Sequence, residues 1–178
     1  ITKSDLICRD IDVLQEIQQH APVLCKLTVT TADDALARKI EPYAPLPSAR
    51  LDALARLSDA GLPTCLLLMP VLPWLTDSER NIRTLVRRAR EAGVRSIYPM
   101  WGVTLRDRQR AYFYHQLDRL FPGLKQKYVS LYGTAYQCTA PNVQALQRIF
   151  VQECENTGIL YKMQDIISDY QREAGGQL

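Results

Sequence analysis

Between residues 23 and 101 short, nearly continuous apolar runs alternate with stretches of helical periodicity, and this alternation restricts the fold more than any other feature. The apolar runs cover 23–30, 63–72 and 94–101. The run at 63–72 lacks an inside–outside rhythm, as a strand covered on both faces would. Helical stripes lie between them, at 33–40, at 48–60 with Leu51, Leu54 and Leu57, and in the stretch that ends at Gly93. Thr31 with Asp34, and Thr76 with Glu79, read as capping boxes that open two of these helices, while Gly61 and Gly93 read as stops. Strands separated by helices and short connections predict parallel pairing with right-handed crossovers, an α/β fold.

Outside this repeat, 10–19 reads as a short helix. From Arg106 onward the pattern turns helical at 108–120, 142–156 and 165–172, with a break at Phe121-Pro122-Gly123 and a Gly175-Gly176 tail expected to fray. The reading divides the chain into 1–105 and a helical section, 106–178, packed on it. Ile1-Thr2-Lys3-Ser4 looks like the end of a strand already in progress. Three strands and a stub are too few for a closed barrel, which takes about 250 residues. That leaves a small open sheet or the C-terminal arc of a larger (β/α) barrel, and the arc, with about three to four parallel strands, is the expectation.

Composition narrows the function classes. The chain is 178 residues long, 47% apolar and 23% charged, which excludes a disordered or fibrous protein. A net charge of +3 is too small to imply a nucleic-acid partner by itself. The apolar stretch 62–75 carries Pro63, Pro70 and Pro73 and falls short of the roughly 20 residues a membrane span needs, so the expectation is a soluble, cytoplasmic protein without a membrane partner. Cys8, Cys25, Cys65, Cys138 and Cys154 are widely separated, so no metal site is assigned, and Cys25, Cys65 and Cys154 are expected to be buried thiols. His20 and His115 have no ligand-spaced partner, and GxGxxG, P-loop, GxSxG and HExxH motifs are absent.

Ligands of parallel α/β proteins bind at the carboxyl ends of the strands. Here those ends carry Lys3 and Ser4, then Thr28, Thr30 and Thr31, then 70–73 with Trp74, then 101–106. A cation, hydroxyls and an aromatic suit a ligand with a carboxylate or ribose at one end and a flat base at the other. Helix capping is the alternative use of the threonines. Arg50 opens a helix, where the dipole disfavours a cation, which points to a carboxylate partner or to an ordinary surface position. Arg80, Arg83, Arg87 and Arg90 share one helix face, read as solvated rather than phosphate-binding. Tyr112, Tyr114, Tyr128, Tyr132 and Tyr136 are read as helix packing rather than base stacking.

Specific residues also carry a family resemblance. Ile1-Thr2-Lys3-Ser4, Arg9-Asp10-Ile11-Asp12-Val13-Leu14, Leu27-Thr28-Val29-Thr30-Thr31, Glu41-Pro42 with Arg50, and Met69-Pro70-Val71-Leu72-Pro73 with Asp77-Ser78-Glu79 resemble the spore photoproduct lyase-like (DNA repair photolyase-like) group of radical SAM proteins. Gly102-Val103-Thr104-Leu105-Arg106, Tyr112-Phe113-Tyr114, Phe121-Pro122-Gly123-Leu124 and Ala135-Tyr136-Gln137-Cys138 resemble its C-terminal section. The resemblance implies a partial (β/α)6 TIM-like barrel that binds S-adenosylmethionine beside a [4Fe-4S] cluster to generate a 5′-deoxyadenosyl radical, with DNA as a partner and an electron donor for the cluster. It places Lys3 and Thr28, and with them Thr30 and Arg50, at the methionine carboxylate and ribose, and 70–73 and 101–103 beside the adenine. The group's CxxxCxxC loop is not in this sequence, so the resemblance implies a C-terminal part that lacks the cluster ligands and is inactive alone. Two other readings compete: a nucleic-acid-binding module using the arginine face and the tyrosines, and a barrel-type lyase or hydrolase that needs neither iron nor S-adenosylmethionine.

Overall fold

A computed structural model of the chain describes residues 1–175. After a 3-10 turn at Asp5–Asp10, the elements run α1 (Ile11–Gln18), β1 (Cys25–Thr28), α2 (Asp34–Ile40), α3 (Pro47–Asp59), β2 (Thr64–Leu68), α4 (Glu79–Glu91), β3 (Ser96–Pro99), β4 (Gly102–Thr104), α5 (Asp107–Leu120), α6 (Leu124–Tyr132), β5 (Gln137–Thr139), α7 (Val143–Thr157) and α8 (Met163–Gly175). β1, β2 and β3 form a parallel sheet in that order, so the α/β reading holds. Bridges extend the sheet at both edges. Thr2 pairs parallel with Leu27 on one side, as the expected strand stub, and Leu160 pairs parallel with Ser96 on the other.

Side-chain alternation gives the sheet two different faces. Cys25, Leu27, Val29, Leu66, Leu68 and Ile97 enter the main core with Leu51, Leu54 and Leu57 of α3, with Ile82, Leu85, Val86 and Ala89 of α4, and with Leu146, Phe150 and Cys154 of α7. These are the stripes that the helical periodicity marks. On the opposite face the register aligns Lys26 with Cys65 and Ser96, and Thr28 with Leu67 and Tyr98. Cys65 and Leu67 are nearly buried yet belong to neither apolar cluster of the protein.

Both helix caps lie two residues past those of the expected capping boxes. Asp33, not Thr31, caps α2, because its carboxylate accepts from the N–H groups of both Ala35 and Leu36, while the Thr31 hydroxyl accepts from Asp33 N–H. Ser78, not Thr76, caps α4, because the Thr76 hydroxyl turns back to accept from Leu72 N–H. Gly93 ends the turn after α4 at φ +69°, and a Cβ there would collide with the Ser58 hydroxyl, so the glycine signals turn and close approach together.

The C-terminal section divides between two cores. α7 packs along α4 and belongs to the main core. A second core gathers Leu72, Val103, Leu105, Leu117, Leu124, Tyr128 and Cys138 around α5, α6 and the antiparallel β4–β5 pair, three elements (β4, β5, α6) that the sequence reading did not contain. The expected frayed tail falls at the limit of the description: α8 runs to Gly175, and Gly176 lies outside the described residues. No helix among the described residues is long and apolar enough to cross a membrane.

Candidate functional site

The carboxyl edge of the sheet is held by a chain of ionic and polar contacts. Lys3, one residue past the Thr2 bridge, pairs through its ammonium with Glu41 Oε1 at the end of α2. The other oxygen, Glu41 Oε2, accepts from Arg50 Nη2 at 2.7 Å. Arg50 Nη1 donates to the Thr28 carbonyl at 2.9 Å, and Nε donates to the Pro45 carbonyl at 2.7 Å. The contacts therefore join Lys3, Glu41, Arg50 and the end of β1. Arg50 is not the surface residue one reading expected: it is 0% exposed, and each of its three nitrogens meets a protein acceptor. Its helix-start position is tolerated because Glu41 supplies the counter-charge. Burial alone would raise the Glu41 carboxyl, but hydrogen bonds and charge from Lys3 and Arg50 outweigh it and hold the group below the usual carboxylate range.

Thr28 and Thr30 are 7% and 3% exposed; Thr28 ends β1 and by strand alternation faces away from the helices, and Thr30 lies two residues beyond the strand. Neither hydroxyl has a hydrogen-bond partner among the described residues, and neither oxygen is sealed from solvent. These unspent groups stand at the end of β1, where Arg50 fixes the Thr28 carbonyl. A cleft of about 430 Å³ opens beside them, lined by Thr31, Asp33, Ser78, Arg80, Asn81 and Thr84 among others, but not by Lys3, Thr28, Thr30 or Arg50.

Asn81 went unnoticed in the sequence. Its amide Nδ2 donates to the Thr30 carbonyl at 3.0 Å and to the Thr76 carbonyl at 2.9 Å, and its Oδ1 accepts from Ala32 N–H at 2.9 Å. One side chain thus ties the loop after β1 to the loop after β2, and only its position at the third residue of a helix, facing the sheet, hinted at this. Asn81→Ala removes all three bonds at a part-buried position, an expected loss of about 2 kcal/mol. A urea denaturation curve checks it, and a midpoint equal to that of the parent chain would show that the two loops are held otherwise.

The aromatic and basic features resolve differently. Trp101 packs edge-on against Phe150 at 5.4 Å, and Trp74 against Tyr128 at 5.2 Å, so both indoles are built into the cores. Tyr114, Tyr128 and Tyr132 pack together there, as the helix-packing reading expects, while Tyr112 and Tyr136 are exposed. On the arginine face, Arg83 and Arg87 reach Glu153 of α7, a residue 7% exposed, and Arg83 also meets Glu79 at 2.8 Å. That part of the face is an interhelical clamp rather than a free cationic stripe.

The thiols do not suit an iron–sulfur cluster. All five cysteines are buried, in five separate segments, and burial pushes their pKa values up, that of Cys154 to about 12. Thiols held protonated and apart are poor cluster ligands. No group of three or more His, Cys, Asp or Glu side chains is placed to hold a metal ion among the described residues. The Lys3 ammonium and the two hydroxyls do suit the carboxylate and ribose of a sulfonium nucleoside.

No family model matches the chain. It is 33% identical over 132 residues to uncharacterized proteins of Mycobacterium tuberculosis and Mycobacterium bovis, a match covering 74% of this chain and 38% of each relative. An uncharacterized protein of Methanocaldococcus jannaschii is 33% identical over 79 residues, 44% of this chain and 29% of that protein. An uncharacterized protein of Acidianus two-tailed virus is 27% identical over 100 residues, 54% of this chain and 33% of that protein. The chain thus spans 38% or less of the length of these curated relatives.

Proposed function

We propose that the chain is the C-terminal part of a radical SAM enzyme that resembles the spore photoproduct lyase-like group, with S-adenosylmethionine held along the carboxyl edge of its parallel sheet. The observation that carries this reading is the pair of unpartnered hydroxyls, Thr28 and Thr30, beside the Lys3–Glu41–Arg50 network. Lys3 meets the methionine carboxylate as a point charge, tempered by Glu41, so it orients more than it attracts. Thr28 and Thr30 hydrogen-bond the ribose. Arg50, fully engaged with the protein, acts on the ligand only through Thr28 and Glu41. Bound S-adenosylmethionine would supply one-electron chemistry for hydrogen abstraction, with an iron–sulfur cluster whose ligands lie outside this chain.

With this reading goes a partial (β/α)6 barrel. Five positions paired in parallel order, from Thr2 through β1, β2 and β3 to Leu160, with helices on one side, suit an arc of such a barrel. Leu6, Val13 and Ile17, in the 3-10 turn and α1 that follow Thr2, are 68%, 49% and 45% exposed, which leaves apolar surface for further strands and helices to cover. DNA as the substrate is carried by the resemblance alone.

The test uses the longer protein that contains this chain and a CxxxCxxC segment, reconstituted with iron and sulfide and reduced with dithionite. Release of 5′-deoxyadenosine from S-adenosylmethionine is the expected result. A fully loaded cluster without any release would end the proposal.

A further inference from the structure

We infer that the protein has a second ligand site, separate from the strand-end edge, for a planar aromatic ring bearing an anionic group, in the groove between the end of α2 and α5. The groove encloses about 180 Å³. That is below the range of drug-sized pockets and suits one ring with a short anionic substituent. Its walls include Tyr43, Tyr112, Phe113 and Phe121, over a floor that includes Leu72 and Leu75. Tyr43 is fully exposed and Tyr112 is 67% exposed, so two phenol rings at a concave apolar surface are left for a ligand to cover.

Charge selects among apolar occupants. Lys39 and Arg119 line the groove, and no acidic side chain does among the described residues. Both cations are exposed, and neither forms a salt bridge among the described residues; Arg119 donates only to the neutral Gln116 amide, at 2.8 Å. The nearest acids in sequence are already engaged, Glu41 by Lys3 and Arg50, and Asp118 by Lys125 at 3.2 Å. An anionic aromatic ligand therefore gains both apolar burial and two uncompensated positive charges, whereas a neutral ring gains only the first. Ile40 and Pro42 line the groove on either side of Glu41, whose carboxylate points instead to the strand-end network, so one turn of chain separates the two sites. This inference does not rest on the radical SAM reading, and its test needs neither cluster nor S-adenosylmethionine.

The experiment is calorimetric titration of the intact chain with phenylacetate, with its neutral amide phenylacetamide, with phenyl phosphate, and with inorganic phosphate. Saturable binding of an anionic ring is expected, with the amide at least about fivefold weaker and phosphate alone not binding. The tighter of phenylacetate and phenyl phosphate identifies a carboxylate or a phosphate as the preferred anion. The Lys39→Glu/Arg119→Glu pair and Tyr112→Ala each weaken binding about tenfold at unchanged thermal midpoint, because all three side chains are exposed. Thr28→Val leaves it unchanged, which separates this site from the sheet edge. Equal affinity for acid and amide, binding that survives both the charge reversal and Tyr112→Ala, or no binding of any anionic ring would overturn the inference.

Discussion

Replacing Glu41 with alanine lowers the thermal midpoint by on the order of 10 °C. The substitution strands Arg50, which is 0% exposed, without the carboxylate that pairs with it among the described residues. Breaking a buried ion pair from one side costs about 3–5 kcal/mol, and each kcal/mol shifts the midpoint of a domain this size by roughly 2–4 °C. Glu41→Gln keeps an acceptor for Arg50 Nη2 and should lose less. The pH dependence has a definite sign. Lys3 and Arg50 overcome the effect of burial and hold the folded carboxyl below its unfolded pKa, so its contribution is present above the unfolded value, about 4.3, and disappears as pH falls through the folded one. The parent chain therefore loses stability on acidification through that window more steeply than Glu41→Gln does. Differential scanning calorimetry from pH 3 to 7 checks both statements. Superimposable acid limbs would mean that Glu41 does not anchor this edge.

Leu66→Ala is expected to cost about 2–5 kcal/mol, whereas Leu67→Ala, one residue along the same strand, costs less than about 1.5 kcal/mol. Leu66 is 0% exposed in the middle of the central strand, between Leu27 and Ile97, with the helices of the main core against it. Its truncation leaves a cavity that three packed helices cannot close. Leu67 faces the other way, between Thr28 and Tyr98, and belongs to neither apolar cluster. Urea unfolding of the two variants compares the faces directly. Equal losses would show that the second face is packed as tightly as the first and has no room for a ligand.

Much of this architecture is legible in the residues because it rests on local periodicity. The stripes Leu51–Leu54–Leu57 and Ile82–Leu85–Val86–Ala89 point inward as their spacing requires, and the unbroken run around Leu66 becomes the central strand. What escaped has non-local causes. β4 and β5 are three residues each and pair across two intervening helices, so neither carries a signal of its own. α6 buries only Leu124 and Tyr128, too few for a stripe. The capping boxes slipped because an aspartate and a serine stand nearer the helix starts and compete with the threonines. At the candidate site, Lys3, Thr28, Thr30 and Arg50 were singled out from the sequence and all lie at the sheet edge. That Glu41 would join Lys3 to Arg50 is a tertiary fact, because the three sit in different segments and only folding brings them together.

Under the proposed function, the hydroxyls at and just past the end of β1 serve a ligand rather than the fold. The Thr28→Val/Thr30→Val pair removes two groups that bond nothing among the described residues and preserves side-chain shape, so the thermal midpoint should stay within about 2 °C of the parent. In the cluster-loaded longer protein, equilibrium affinity for S-adenosylmethionine should fall about 10- to 100-fold, as expected for losing two hydrogen bonds from a nearly buried site. Unchanged affinity in the doubly substituted protein would contradict the account.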